Sequence, residues 1–225
     1  MRRLRDNDGS TTHRRHIRFH MARCKGAGTL HDILHSEAGA VYAVLRAAER
    51  AREDAEDAGV EAAALVTRAE ESLENAIRDI DAEAKKLDRA EPTLMAQSTI
   101  LPGGLTPILD PEGAAQLDVL PALGVRLAPF KASGAMKDAV AALENAEAGM
   151  RAALAAAAAA AAEVERRFAE ELGARRAVRE QLESAHGRLR DLYKARPALA
   201  ERFFLKEKES SRAKSAPVTP PAPTA

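Results

Sequence analysis

Apolar side chains recur every seven residues along two long stretches, one on each side of a proline-rich middle. In the first stretch the seam runs through Leu34, Val41, Ala48, Ala55, Ala62, Ala69 and Ala76. Its other row lies four positions further on, at Ala38, Leu45, Arg52, Gly59, Val66, Leu73 and Ile80, with Leu87 completing it. In the second stretch Met136, Leu143, Met150, Ala157, Val164, Glu171, Val178, Ala185 and Leu192 alternate with Val140, Glu147, Leu154, Ala161, Phe168, Arg175, Leu182 and Leu189. A seven-residue period sustained this long belongs to helices that bury a narrow stripe against another helix. The fold class this predicts is all-α, as an elongated antiparallel coiled-coil hairpin with a Pro-rich apolar connecting segment at its tip.

Apolar residues make up 46% of the chain, but aromatics only 3%, and Trp is absent. The excess is alanine, which favours helix and lets two helices approach closely without building a thick interior. The single cysteine, Cys24, rules out an internal disulfide framework and fits a reducing, cytoplasmic setting. The alanine run from Ala152 to Ala162 is too short for a membrane span.

Composition divides the chain into segments. Residues 1–28 read as a basic flexible arm. Its first 25 residues hold eight Lys/Arg against two Asp, a net of +6, and no apolar h-region follows them, which argues against a secretory signal. Because residues 1–20 look like a tail, Met21 is an alternative start. A first long helix is expected over 29–91, with the Thr29 hydroxyl as its cap and Pro92 as its stop. A second is expected over 133–196, capped by Ser133 and ended before Pro197. A short C-terminal helix over 197–209 and a disordered Pro/Ala/Ser tail over 210–225 complete the chain.

Charge sets the expected direction of the two helices. Residues 30–61 carry eight acids and three bases, net −5, and residues 166–196 carry five acids and nine bases, net +4. Antiparallel packing places these two halves side by side.

Residues 92–132 hold six of the eleven prolines and yet are rich in large apolar side chains. Leu101-Pro102-Gly103-Gly104-Leu105 reads as a tight turn between short extended pieces. Ile100, Leu101, Leu105, Ile108 and Leu109 either cap the hairpin tip or form a partner-docking surface, and Phe203 and Phe204 are a second candidate contact.

Chemistry-bearing groups are few. His16, His20 and Cys24 share helical spacing, as do His31 and His35, but neighbouring arginines oppose a cation and no metal site is assigned. Glu183 and His186 have the Glu-x-x-His form of di-iron bundles, without a second copy and off the seam. No phosphate loop or nucleophile elbow is present, so neither a cofactor nor an enzymatic activity is expected. Glu147, Glu171, Arg52 and Arg175 place charge in the seam, which fixes register at some cost in stability.

The composition is similar to that of phasins, and a long hairpin resembles in outline the stalk proteins of rotary ATPases and secretion systems. Neither resemblance rests on a residue motif, and no family is assigned. The expected function is structural or adaptor, joining protein partners that include a second copy of the chain. The alternative is binding of nucleic acid or an anionic surface through Arg2, Arg3, Arg5, Arg14, Arg15, Arg18, Arg23 and Lys25.

Overall fold

The computed structural model describes residues 4–132 and 134–206, and every regular element among them is helical. They are α1 (Ser10–Cys24), α2 (Thr29–Ala90), α3 (Ala96–Ile100), α4 (Thr106–Leu109), α5 (Ala114–Leu127), α6 (Gly134–Leu192) and α7 (Pro197–Ala200), with short 3-10 turns at Pro92–Leu94, Ala128–Phe130 and Glu201–Phe203. The expected cap Ser133, the basic residues Arg2 and Arg3, and the segment from 207 onward lie outside the described residues. No helix among the described residues is long and apolar enough to cross a membrane.

The two long helices α2 and α6 pack against each other. The chain forms two compact units, residues 1–49 with 170–225 and residues 50–169.

In the first unit Leu34, Ala38 and Leu45 of α2 bury against Val178, Leu182, Ala185 and Leu189 of α6. Residue numbers rise along one helix as they fall along the other. His31 meets Tyr193, with the hydroxyl and Nε2 3.0 Å apart, and Glu37 meets Arg188 at 2.7 Å and Gln181 at 3.1 Å. Arg188, and after it Gln181, hold the Glu37 carboxyl below its ordinary pKa by hydrogen bonding to its charged form.

The largest departure from the sequence reading is in this unit. Residues 10–24 are not a flexible arm but helix α1, whose inner face of Ser10, His13, His16, Ile17, His20 and Cys24 is buried. The same finding removes the reason for starting the chain at Met21, because Ile17 and His20 belong to the core. Glu171 explains the anchoring. This seam carboxylate is 1% exposed and is bonded by the Ser10 hydroxyl and by Arg175, so a charged seam position fastens the start of α1. Arg175 also donates to the Ser10 hydroxyl, closing a three-residue network around the Oε1 of Glu171.

The entry to α2 also differs. Gly28, at φ +138°, accepts from the Asp32 N–H at 2.9 Å, and the Asp32 carboxylate reaches back to the Gly26 N–H at 2.8 Å. The first turn is thus closed around a glycine that needs positive φ, and not by a Thr29 hydroxyl cap. At its far end α6 stops at Leu192, four residues before Arg196, because the chain turns to lay Tyr193 on His31 and Phe203.

In the second unit Leu73, Ile77 and Ile80 of α2 and Met136, Val140, Leu143 and Met150 of α6 share a core with α3, α4 and α5. The connector is therefore a helical cap and not extended pieces. Helices of four or five residues are marginal alone, and here long-range side chains satisfy their ends. Asp88 accepts from the Ala96 and Gln97 N–H groups at the start of α3, and Arg126 donates to the Ile100 carbonyl at its end, 2.8 Å away. Glu70 accepts from the Gly113 N–H, 2.9 Å away, at the entry to α5. The 101–104 turn closes through the Gly104 N–H to the Leu101 carbonyl at 2.9 Å, with Gly104 at φ +76°.

Candidate functional site

Three regions bring distinctive side chains together, and each lies within one unit. The first is a groove of about 940 Å3 between α2 and α6 in the 50–169 unit. Its floor is made of two stripes with identical spacing, 65, 69, 72, 76 and 79 on α2 and 142, 146, 149, 153 and 156 on α6. Intervals of four and three residues put each set on one helix face. The side chains are small: Ala69, Ser72 and Ala76 face Ala142, Ala146, Gly149 and Ala153. Small side chains leave a trough between two helices where Leu or Ile would have filled it. Arg68 stands at one end and Asp79 at the other, both exposed, and neither has an ion-pair partner among the described residues.

The second region is the aromatic and histidine core of the other unit. His20 stacks on Phe204 with ring centroids 4.9 Å apart, and His31 packs on Phe203 at 4.7 Å. His186 meets the edge of Phe204 and pairs with Glu201 at 2.7 Å. Phe203 and Phe204 are both buried, so these two predicted contact residues close the core from within. The His20 Nε2 lies 3.6 Å from Cys24 Sγ, but no group of three or more His, Cys, Asp or Glu side chains suited to a metal is assembled among the described residues. Burial pushes the Cys24 thiol up to about 11, so it stays protonated and unreactive. A thiol reagent such as DTNB is expected to label native protein at least a hundredfold more slowly than urea-unfolded protein, as gated by rare opening. Equal rates would place Cys24 at the surface.

The third region is the outer face of α1, where Thr11, Arg14, Arg15, Arg18 and Phe19 surround, with Tyr42 of α2, a concavity of about 420 Å3. Beneath it Glu49, buried, pairs with Arg14 at 3.1 Å and with Arg46 at 2.7 Å.

The sequence-predicted sets are thus divided. Ile100, Leu101 and Ile108 are core residues, and Leu105 and Leu109 pack against that core half-buried. The exposed apolar side chains of the connector are Leu94, Met95 and Val125, with Val125 75% exposed. Of the eight basic residues, Arg14, Arg15 and Arg18 are brought together. Arg23 turns instead onto Phe203, 6.0 Å from the ring centre, and donates to the Arg202 carbonyl. Arg5 sits in the turn that leads to Asp8, and Lys25 ends α1.

The residues missed from sequence are Tyr42 and Glu49, which complete the α1 face, and Arg68 and Asp79, which mark the ends of the groove. The signal for the groove was the alanine row beside the seam. Nothing short of knowing that α1 is a helix could have joined Tyr42 to Arg18. The chain matches no protein-family model, no curated protein and no solved structure.

Proposed function

We propose that this chain is a structural or adaptor protein, an antiparallel coiled-coil hairpin that joins a second copy of itself through the groove of its 50–169 unit. The observation that carries this reading is the pair of matched small-residue stripes, with an arginine at one end and an aspartate at the other that have no ion-pair partner among the described residues. Eleven positions of helix separate them, about 16 Å at 1.5 Å per residue. A copy related by a two-fold axis at the groove centre brings each Arg68 to the partner's Asp79, because a two-fold interface repeats every contact in reverse. Four-helix packing of this kind fills a trough between two helices with the ridges of two others. Shallow grooves between helices exclude water poorly, which favours a binding role over catalysis. A protonated, buried lone thiol suits a cytoplasmic setting.

Charge reversal tests the pairing. Arg68→Asp and Asp79→Arg are each expected to weaken self-association roughly tenfold, since two like-charge contacts replace two opposite ones and each is worth about 0.2–1 kcal/mol. The double variant Arg68→Asp/Asp79→Arg restores the wild-type affinity in sedimentation equilibrium. Single variants that associate like the wild type would show that these ends do not meet.

A further inference from the structure

We propose that the outer face of α1 is a binding site for single-stranded nucleic acid, with one nucleotide held between the guanidinium groups of Arg14, Arg15 and Arg18 and the rings of Phe19 and Tyr42. The concavity of about 420 Å3 lies in the size range of a small-ligand site. Guanidinium groups present planar donor forks that match phosphate oxygens, and aromatic rings stack on unpaired bases of any sequence. Both kinds of group are present on one face because positions 11, 14, 15 and 18 share one side of α1.

One of the three arginines, Arg14, is held before any ligand arrives. Arg14 is fixed by Glu49 at 3.1 Å and by donating to the Thr11 hydroxyl at 3.2 Å. Glu49 is shared with Arg46, so the face keeps a net positive charge, and Arg18 pairs with no carboxylate among the described residues.

A strand fits better than a duplex or a membrane. Arg14 and Arg18 stand one helical turn apart, about 5.4 Å, and so meet neighbouring phosphates of an extended strand. Phe19 and Tyr42 need a base that is not already stacked within a duplex. A helix inserted into a lipid surface would turn apolar side chains outward, whereas Ile17 and Cys24 are buried inside the unit.

The test is fluorescence anisotropy of the full chain with a labelled oligothymidylate of about fifteen nucleotides. Saturable binding is expected at about 50 mM salt, weakening roughly tenfold to twentyfold by about 200 mM, as release of counterions from some three phosphates requires. Arg15→Glu/Arg18→Glu is expected to lose at least tenfold in affinity at an unchanged melting temperature, while Arg15→Lys/Arg18→Lys retains most of it. An abasic strand and a duplex of equal length are expected to bind more weakly, which reports stacking. Absence of saturable binding at low salt would overturn the proposal. So would full affinity in the double Glu variant, because other basic residues would then be the site. Equal affinity for the abasic strand would remove the aromatic part of the site. Binding confined to phosphatidylglycerol vesicles, or to free nucleoside monophosphate, would assign the face to a different ligand.

Discussion

Ile100→Ala is expected to lower the unfolding free energy by about 2–5 kcal/mol, the usual cost of removing a fully buried aliphatic side chain whose surroundings relax only in part. Ile100 is fully buried in the core formed by α2, α6 and the short helices of the connector. If this side chain were instead part of a docking surface, truncation would change stability by less than about 0.5 kcal/mol and affect only partner binding. Urea unfolding followed by circular dichroism separates the two. The exposed Val125→Ala serves as the control and is expected to be near neutral. The same reasoning predicts that a short linker in place of residues 94–130 would not simply shorten a loop. It would strip the cover from Leu73, Ile77 and Met136.

Acid is expected to destabilise the protein well before its carboxylates titrate. Burial lowers the pKa of His13 and of His20 below the ordinary 6.5. For His13, Arg179 and Arg175 add to the effect, while the Gly9 carbonyl bond opposes it; for His20 the Phe203 carbonyl opposes it and His31 and His35 add to it. Well above pH 6.5 both rings are neutral whether the chain is folded or not, and they contribute no pH dependence. Below that value the unfolded chain binds protons that the folded one refuses, so stability falls as pH falls. Each ring contributes a slope of up to about 1.4 kcal/mol per pH unit until its folded pKa is reached. Glu37 loses its own contribution only lower, below the ordinary 4.5. Unfolding free energies measured between about pH 7.5 and about pH 5 should therefore slope downward. A flat profile across that window would mean that the imidazoles are hydrated.

The long helices were legible because their signal is local and repeated. Leu34 to Leu45, Leu73 to Ile80 and Met136 to Leu143 recur at helical intervals, and burial follows them. The direction of packing was legible from charge, and Glu37 with Arg188 is one of the contacts that the net charges anticipated. Helix α1 was not legible because its buried face is written in histidine and serine. Positions 10, 13, 16, 17, 20 and 24 have helical spacing, yet Ile17 and Cys24 alone among them would register as apolar. His13 and His20 can be buried because desolvation lowers their pKa and favours the neutral ring, a property of the folded environment and not of the residue type. The connector failed for a related reason. Six prolines between 92 and 132 argue against one long helix, but Pro92, Pro107 and Pro129 fall at the first positions of short helical turns, where a missing N–H costs nothing. Pro121 is tolerated inside α5. The caps that hold α3, Asp88 and Arg126, come from residues 8 and 26 positions away, a pairing no local pattern encodes. The small residues beside the seam, Ala153 among them, carry a local signal for the groove, since they leave room for further helices. Its polar ends at Arg68 and Asp79 looked like any solvated pair of charges.

The mass of the full chain in solution tests the central claim most directly. Light scattering from about 1 to about 100 µM, set against Ala152→Arg on the exposed rim of the groove, asks whether that trough is filled by a second copy. The account predicts a mass rising with concentration to twice the 24.1 kDa of one chain for the wild type, and a variant that stays at 24.1 kDa with its melting temperature unchanged. A wild-type mass of 24.1 kDa across the whole range, or a dimer that the substituted rim leaves intact, would contradict it.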